Sequence, residues 1–97
     1  MKDKEEITLN HFQLNVLLDE EREKIYNHLL ENGVFCNTCK DNCPEGVQVE
    51  QLFLTKQNDI KITGKCKKCQ SDVTRILEFG LDREFYKMAD DFRESIQ

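Results

Sequence analysis

Tryptophan is absent from this chain, proline occurs once, glycine four times and histidine twice, and no apolar run approaches the length of a bilayer span. Each shortage excludes something. Without roughly 20 consecutive apolar residues the sequence offers no membrane-crossing helix. Its opening, Met1 to Glu6, is charged where an export leader needs a basic stretch followed by an apolar one. A cytoplasmic protein with no membrane partner is therefore expected. A glycine-rich phosphate loop, an HExxH helix and a Gly-x-Ser-x-Gly elbow are all missing, so the common nucleotide, metalloprotease and serine-hydrolase sites find no footing. Apolar residues make up 38% of the 97 against 34% charged, which leaves a thin core for a chain of this size. A fold so poor in buried surface gains from a staple.

The cysteines supply one. Cys36 and Cys39 form a Cys-x-x-Cys pair, and Cys66 and Cys69 repeat it after 26 intervening residues. A Cys-x-x-Cys turn aims two thiolates at one ion, and two such turns complete the four-sulfur tetrahedron that Zn²⁺ favours. An odd count of five, paired at metal-ligand spacing, suits a reducing compartment better than a disulfide framework. Cys43 is left over. Cys39 with Cys43 is an alternative first pair that would release Cys36, but the x-x spacing shared with the second pair favours Cys36 and Cys39. Cys43 then reads as a small residue at the mouth of the turn, or more sharply as a redox-sensing thiol beside the ligands. His11 and His28 read as helix-flank residues, since four thiolates already fill a tetrahedral shell.

Local patterns place these turns. From Thr8 to Leu18 the set Leu9, Phe12, Val16 fits a helix, whereas Phe12, Leu14, Val16, Leu18 fits a strand; a short helix is expected because a lone strand there has no evident partner. Asp19 reads as the N-cap of a helix from about Glu20 to Asn32, with Glu20, Glu21 and Glu23 in its first turns. Its apolar stripe is Leu18, Ile25, Tyr26, Leu29 and Leu30, and Gly33 is expected as a left-handed C-cap. After Pro44-Glu45-Gly46 comes a strand over Val47 to Lys56, with Val47, Val49 and Phe53 on one side. Gln57-Asn58-Asp59 turns it into a second strand through Ile60 and Ile62. A third is expected from Asp72 to Phe79, carrying Val73, Ile76 and Phe79 and ended by Gly80. Asp82 caps a last helix whose stripe is Phe85, Ala89, Phe92 and Ile96, with Met88 beside it.

The order of cysteine turn, hairpin, cysteine turn and third strand, over roughly Phe35 to Phe79, resembles the zinc-ribbon family. The match lies in Cys36-Asn37-Thr38-Cys39, in Cys66-Lys67-Lys68-Cys69 and in the strands between and after them. The resemblance implies an α+β fold: a three-stranded antiparallel zinc ribbon (34–80) between a helical N-terminal segment (1–33) and a C-terminal helix (81–97), all in one small domain. It implies structural Zn²⁺ on Cys36, Cys39, Cys66 and Cys69. Two positions depart from the family's habit, because Lys40 and Gln70 stand after the cysteine pairs where ribbons often carry glycine. Each is expected to accept a positive φ at a cost on the order of 1 kcal/mol. Rubredoxin-like iron sites use the same cysteine pattern, but they usually pack aromatic rings, tryptophan included, around the metal.

Net charge is −5, unevenly spread: four basic and eight acidic residues before position 34, seven and six from 34 to 80, three and five beyond. The acidic whole disfavours general nucleic-acid binding. Lys61, Lys65, Lys67, Lys68 and Arg75 are the one basic cluster, read as solvated ribbon surface or as a phosphate-facing patch. Phe85, Tyr86, Met88, Phe92 and Ile96 are core if the sheet covers them, and a docking or self-association face if it does not. The function expected on these grounds is non-enzymatic: a zinc-binding adaptor that recognises another protein. Its alternatives are a nucleic-acid-binding or transcription-associated ribbon, and a redox carrier or thiol sensor.

Overall fold

The structure is a computed structural model that describes residues 4–96. The chain runs β1 (Ile7–Leu9), α1 (His11–Leu17), α2 (Glu20–Asn32), β2 (Phe35–Cys36), β3 (Asp41–Asn42), β4 (Val47–Leu54), β5 (Ile60–Cys66), β6 (Asp72–Leu77), a 3₁₀ turn (Phe79–Leu81) and α3 (Arg83–Ser95). Fold class α+β is what the pattern predicts, but the main sheet has four strands in the order β1-β4-β5-β6, all antiparallel, where three were expected. The fourth is β1. Ile7, Thr8 and Leu9 pair with Leu54, Phe53 and Leu52, a partner more than forty residues away that no local pattern announces.

One expected helix over Thr8 to Leu18 is thus a strand and a shorter helix. Asn10 divides them with a capping box: its side chain accepts from the Gln13 N–H at 2.7 Å while Gln13 Oε1 accepts from the Asn10 N–H at 2.9 Å. The face is also turned. Leu14, Leu17 and Leu18 are buried, and Phe12 and Val16 look outward. In α2 the bounds agree with expectation and Asp19 caps it, but Arg22 and Tyr26 are the buried pair and Ile25 lies outside. Gly33 closes that helix at φ −113°, not in the left-handed region.

A bulge between Val49 and Gln51 resets β4. Val47 and Val49 precede it; beyond it Leu52 and Leu54, not Phe53, reach the core. Gly64 of β5 faces Val49 here, and a Cβ on it would stand 2.1 Å from the Gln48 carbonyl oxygen. Gly64→Ala is expected to destabilise the fold by roughly 1–3 kcal/mol, read as a lowered urea midpoint with unchanged slope. A midpoint equal to wild type would mean that the bulge yields at no cost.

Strand β6 stops at Leu77. Val73 and Leu77 point inward with Arg75 between them, Ile76 points out, and Phe79 and Gly80 belong to the 3₁₀ turn. That turn is pinned because Asp59 Oδ1 accepts from the Gly80 N–H at 2.8 Å. Asp82 caps α3, accepting from the Glu84 and Phe85 N–H groups, and its second oxygen takes Arg22 Nη2 at 2.8 Å. The Arg22 guanidinium, together with those N–H groups, holds the Asp82 carboxyl below its usual range.

Helices α1, α2 and α3 and the sheet enclose the larger core, which contains Leu14, Tyr26, Leu54, Ile60, Phe85 and Ala89. Met88 and Phe92 pack against it, so the last helix is mostly core, leaving Ile96 exposed at its end. A second, smaller core of Val34, Cys36, Cys43, Val47, Cys66 and Val73 lies at the other end of the sheet. β4 and β5 run from one core to the other. Of the charged opening, 1–3 lie outside the described residues; Lys4 meets Tyr86 and Asp90, the Glu5 carbonyl accepts from Arg93, and Glu6 pairs with Lys61 at 2.7 Å. The charged opening is thus tied down from Lys4 onward. No helix among the described residues is long and apolar enough to cross a membrane.

Candidate metal centre

Two turns of like construction face each other at the smaller core. In the first, Cys36 ends β2, the Lys40 N–H donates to the Cys36 carbonyl at 2.9 Å, and Lys40 takes φ 60°. In the second, Cys66 ends β5, the Gln70 N–H donates to the Cys66 carbonyl at 2.8 Å, and Gln70 takes φ 63°. The two residues expected to carry positive φ in place of glycine both do. A left-handed residue at that place folds the chain back, which brings the second sulfur of each pair beside the first.

The pairs converge. Sγ atoms of Cys36, Cys39, Cys66 and Cys69 all lie within 4.8 Å of one another, with Cys36 to Cys69 at 3.4 Å and Cys39 to Cys66 at 3.9 Å. Four sulfurs about 2.3 Å from a central ion would have tetrahedral edges of about 3.8 Å. The spacing fits an ion at the centre, and those two distances far exceed the roughly 2.05 Å of a disulfide. Cys36 and Cys66 are buried, Cys39 and Cys69 half-buried, so the site sits at the edge of its core. Four cysteines are placed to hold a metal.

Neighbouring dipoles prepare the thiolates. The Cys39 N–H donates to Cys36 Sγ at 3.5 Å. The Ser71 hydroxyl and then its N–H lower the Cys69 thiol to about 6, and the Cys69 N–H leads in lowering that of Cys66. Burial, and then the neighbouring sulfurs of Cys69, Cys36 and Cys66, push the Cys39 thiol up to about 12. Thr38 and Ser71 hydroxyls meet across the two turns at 2.7 Å. Ser71 escaped the sequence reading; a hydroxyl two residues after the last cysteine is its only trace there.

Cys43 is outside the four-sulfur group. It is buried beneath Cys66, and burial pushes its thiol up to about 12. Its N–H donates to the Val34 carbonyl at 2.8 Å and its carbonyl accepts from Gly46, so the backbone here ties the first turn to the strand that follows. The histidines are exposed and stand apart from the group.

The basic cluster does not assemble. Lys61 and Lys65 share the outer face of β5, where Lys61 pairs with Glu6 and stands 4.6 Å over the Phe53 ring, and Lys65 pairs with Asp72. Arg75 lies on the opposite face of the sheet, opposite Ile62 in register. Lys67 and Lys68 are exposed on the second cysteine turn. Compared with known protein families, curated proteins and solved structures, the chain finds no match.

Proposed function

We propose that this chain is a small cytoplasmic zinc-binding module, folded around a structural four-cysteine site, that works without catalysis by docking to another protein. The convergence of the four sulfurs carries this reading. Sulfur-only donation favours zinc or iron. The buried cluster around the thiols is made of valines and leucines, with no aromatic ring among its described members, which favours zinc over a rubredoxin-like iron. Four thiolates fill a tetrahedral shell and leave no position for substrate or water, so the ion stabilises rather than reacts.

Dispersal of the basic residues over two faces and a turn, two of them already paired with carboxylates, supports a protein partner over nucleic acid. Metal analysis and a mobility assay test both halves. Protein purified without added metal is expected to be colourless and to hold one zinc per chain, and it is expected to leave labelled single- and double-stranded nucleic acid unshifted at low salt. Visible absorbance would assign iron. A salt-sensitive shift abolished by Lys67→Glu/Lys68→Glu would assign nucleic acid.

A further inference from the structure

Where α2 passes the 3₁₀ turn, apolar side chains break the surface. Leu81 is 80% exposed and Ile25 51%, and with the half-buried Phe79 they line an open groove of about 430 Å³. Leaving a leucine and half of an isoleucine in water forgoes hydrophobic stabilisation that is recovered when something covers them. Both are free to be covered, since the helix face inward of Ile25 is made by Arg22 and Tyr26 and the turn is held through Gly80.

The rim is acidic. Glu21, Glu78 and Asp82 line the groove beside Ile25 and Leu81. Arg22 is the one cation in the lining, and its guanidinium is already committed to Asp19 at 2.7 Å and Asp82 at 2.8 Å, lying over the Phe85 ring. Among the described residues neither Glu21 nor Glu78 has an ion-pair partner. An apolar slot between two unmatched carboxylates selects its occupant by charge: an acidic or anionic ligand is repelled, a plain apolar one leaves the carboxylates unpaired.

We propose that this groove seats a short basic segment of another polypeptide, one aliphatic side chain entering between Ile25 and Leu81 while flanking lysines or arginines reach Glu21 and Glu78. This deepens the docking role proposed above and rests on it, but the groove lies on the larger core and makes no use of the metal. The apolar contact supplies affinity and the carboxylates supply selectivity and salt dependence.

The probe is a dye-labelled decapeptide with two central leucines between lysines, followed by fluorescence anisotropy on the metal-loaded full chain. Saturable binding is expected that weakens about tenfold in Ile25→Ser/Leu81→Ser and in Glu21→Gln/Glu78→Gln, but not in Phe12→Ser/Val16→Ser on α1, neither of which lines the groove. A counterpart peptide with glutamates for lysines is expected not to bind. The altered side chains are solvent-facing, and unchanged melting curves confirm that each variant is folded. Binding that every variant retains would overturn the groove while leaving a docking role elsewhere on the surface. No binding by any peptide would overturn the proposal, as would sedimentation showing a dimer that Leu81→Ser dissociates, since the occupant would then be a second copy.

Discussion

Stripping the metal with a strong chelator, or replacing Cys66 by serine, is expected to lower the melting temperature by at least about 15 °C, since a loss of about 3 kcal/mol, well within what structural zinc can supply, already moves a domain this size by about 12–24 °C. The loss should be local first. The smaller core consists of three valines and three cysteines, and three of its six members are the sulfur-bearing residues Cys36, Cys43 and Cys66. Without an ion, two cysteine turns must hold Lys40 and Gln70 at positive φ with nothing to offset the strain. Hydrogen exchange reads this directly. Amides of Lys40 and Gln70, which close the turns onto the Cys36 and Cys66 carbonyls, should lose protection, while those of Ile60 and Ile62 in the larger core keep most of theirs.

Acid should act in the same direction as the chelator. Cys39 holds its proton in the metal-free site, its thiol being pushed up to about 12, and must give it up to bind; falling pH therefore favours the proton over the ion. Apparent zinc affinity is expected to drop by about tenfold or more per pH unit below neutrality, measured by competition with a chromogenic chelator. Cys43→Ser should leave the stoichiometry at one metal. Removal of the ion with no change in melting or exchange would show that the sulfurs stabilise nothing.

Cysteine spacing made the candidate metal site legible because ligand geometry is local: three peptide units of turn fix where each pair of sulfurs points. The helix Glu20–Asn32 was legible for the same reason, with a cap, acidic first turns and an uninterrupted periodic stretch. What escaped notice depended on distant chain. Strand β1 is three residues long and has meaning only against Leu52 to Leu54. The bulge after Val49 inverts the expected parity of β4, and nothing in Glu50-Gln51 marks it except the glycine opposite. On α1 neither the helical set with Phe12 and Val16 nor the strand alternation names the buried face; Leu14, Leu17 and Leu18 form it because that side meets the core on which α3 also packs. Burial of Arg22 was hidden by its charge, and it is offset by two carboxylates, the nearby Asp19 and Asp82, which lies sixty residues further along the chain. The proposed partner surface shifts accordingly, from the apolar stripe of α3, most of which is core, to the Ile25 and Leu81 groove.

Replacing Arg93 by methionine is expected to destabilise the protein by about 3–5 kcal/mol, more than most core truncations, although the sequence presents it as one more surface charge on the last helix. Its residue is buried, and its guanidinium donates to Asn58 Oδ1 at 2.8 Å and to the carbonyls of Glu5 and Thr55. Asn58, also buried and at φ 62°, spends its amide N–H groups on the Tyr86 carbonyl and Asp90 Oδ1. One planar donor fork thereby joins the segment before β1, the β4–β5 turn and α3. Methionine fills a similar volume but donates nothing: it leaves the buried Asn58 Oδ1 without a partner, at about 1–3 kcal/mol, and removes charge-assisted bonds worth about 1.5–3 kcal/mol from the Glu5 carbonyl and from the Thr55 carbonyl, which keeps only the Asn58 N–H at 3.0 Å. Lysine should rescue only part of this, because a single ammonium on a flexible stem cannot span acceptors set for a rigid fork. Burial lowers the Arg93 pKa, with Asp90 opposing, so the group stays charged and the bonds stay charge-assisted. Urea denaturation at fixed zinc, with the exposed Arg83→Met as control, gives the comparison. An Arg93→Met midpoint matching that control would mean that the fork is an ornament of the surface and that the turn, the amino-terminal segment and α3 are held by apolar packing alone.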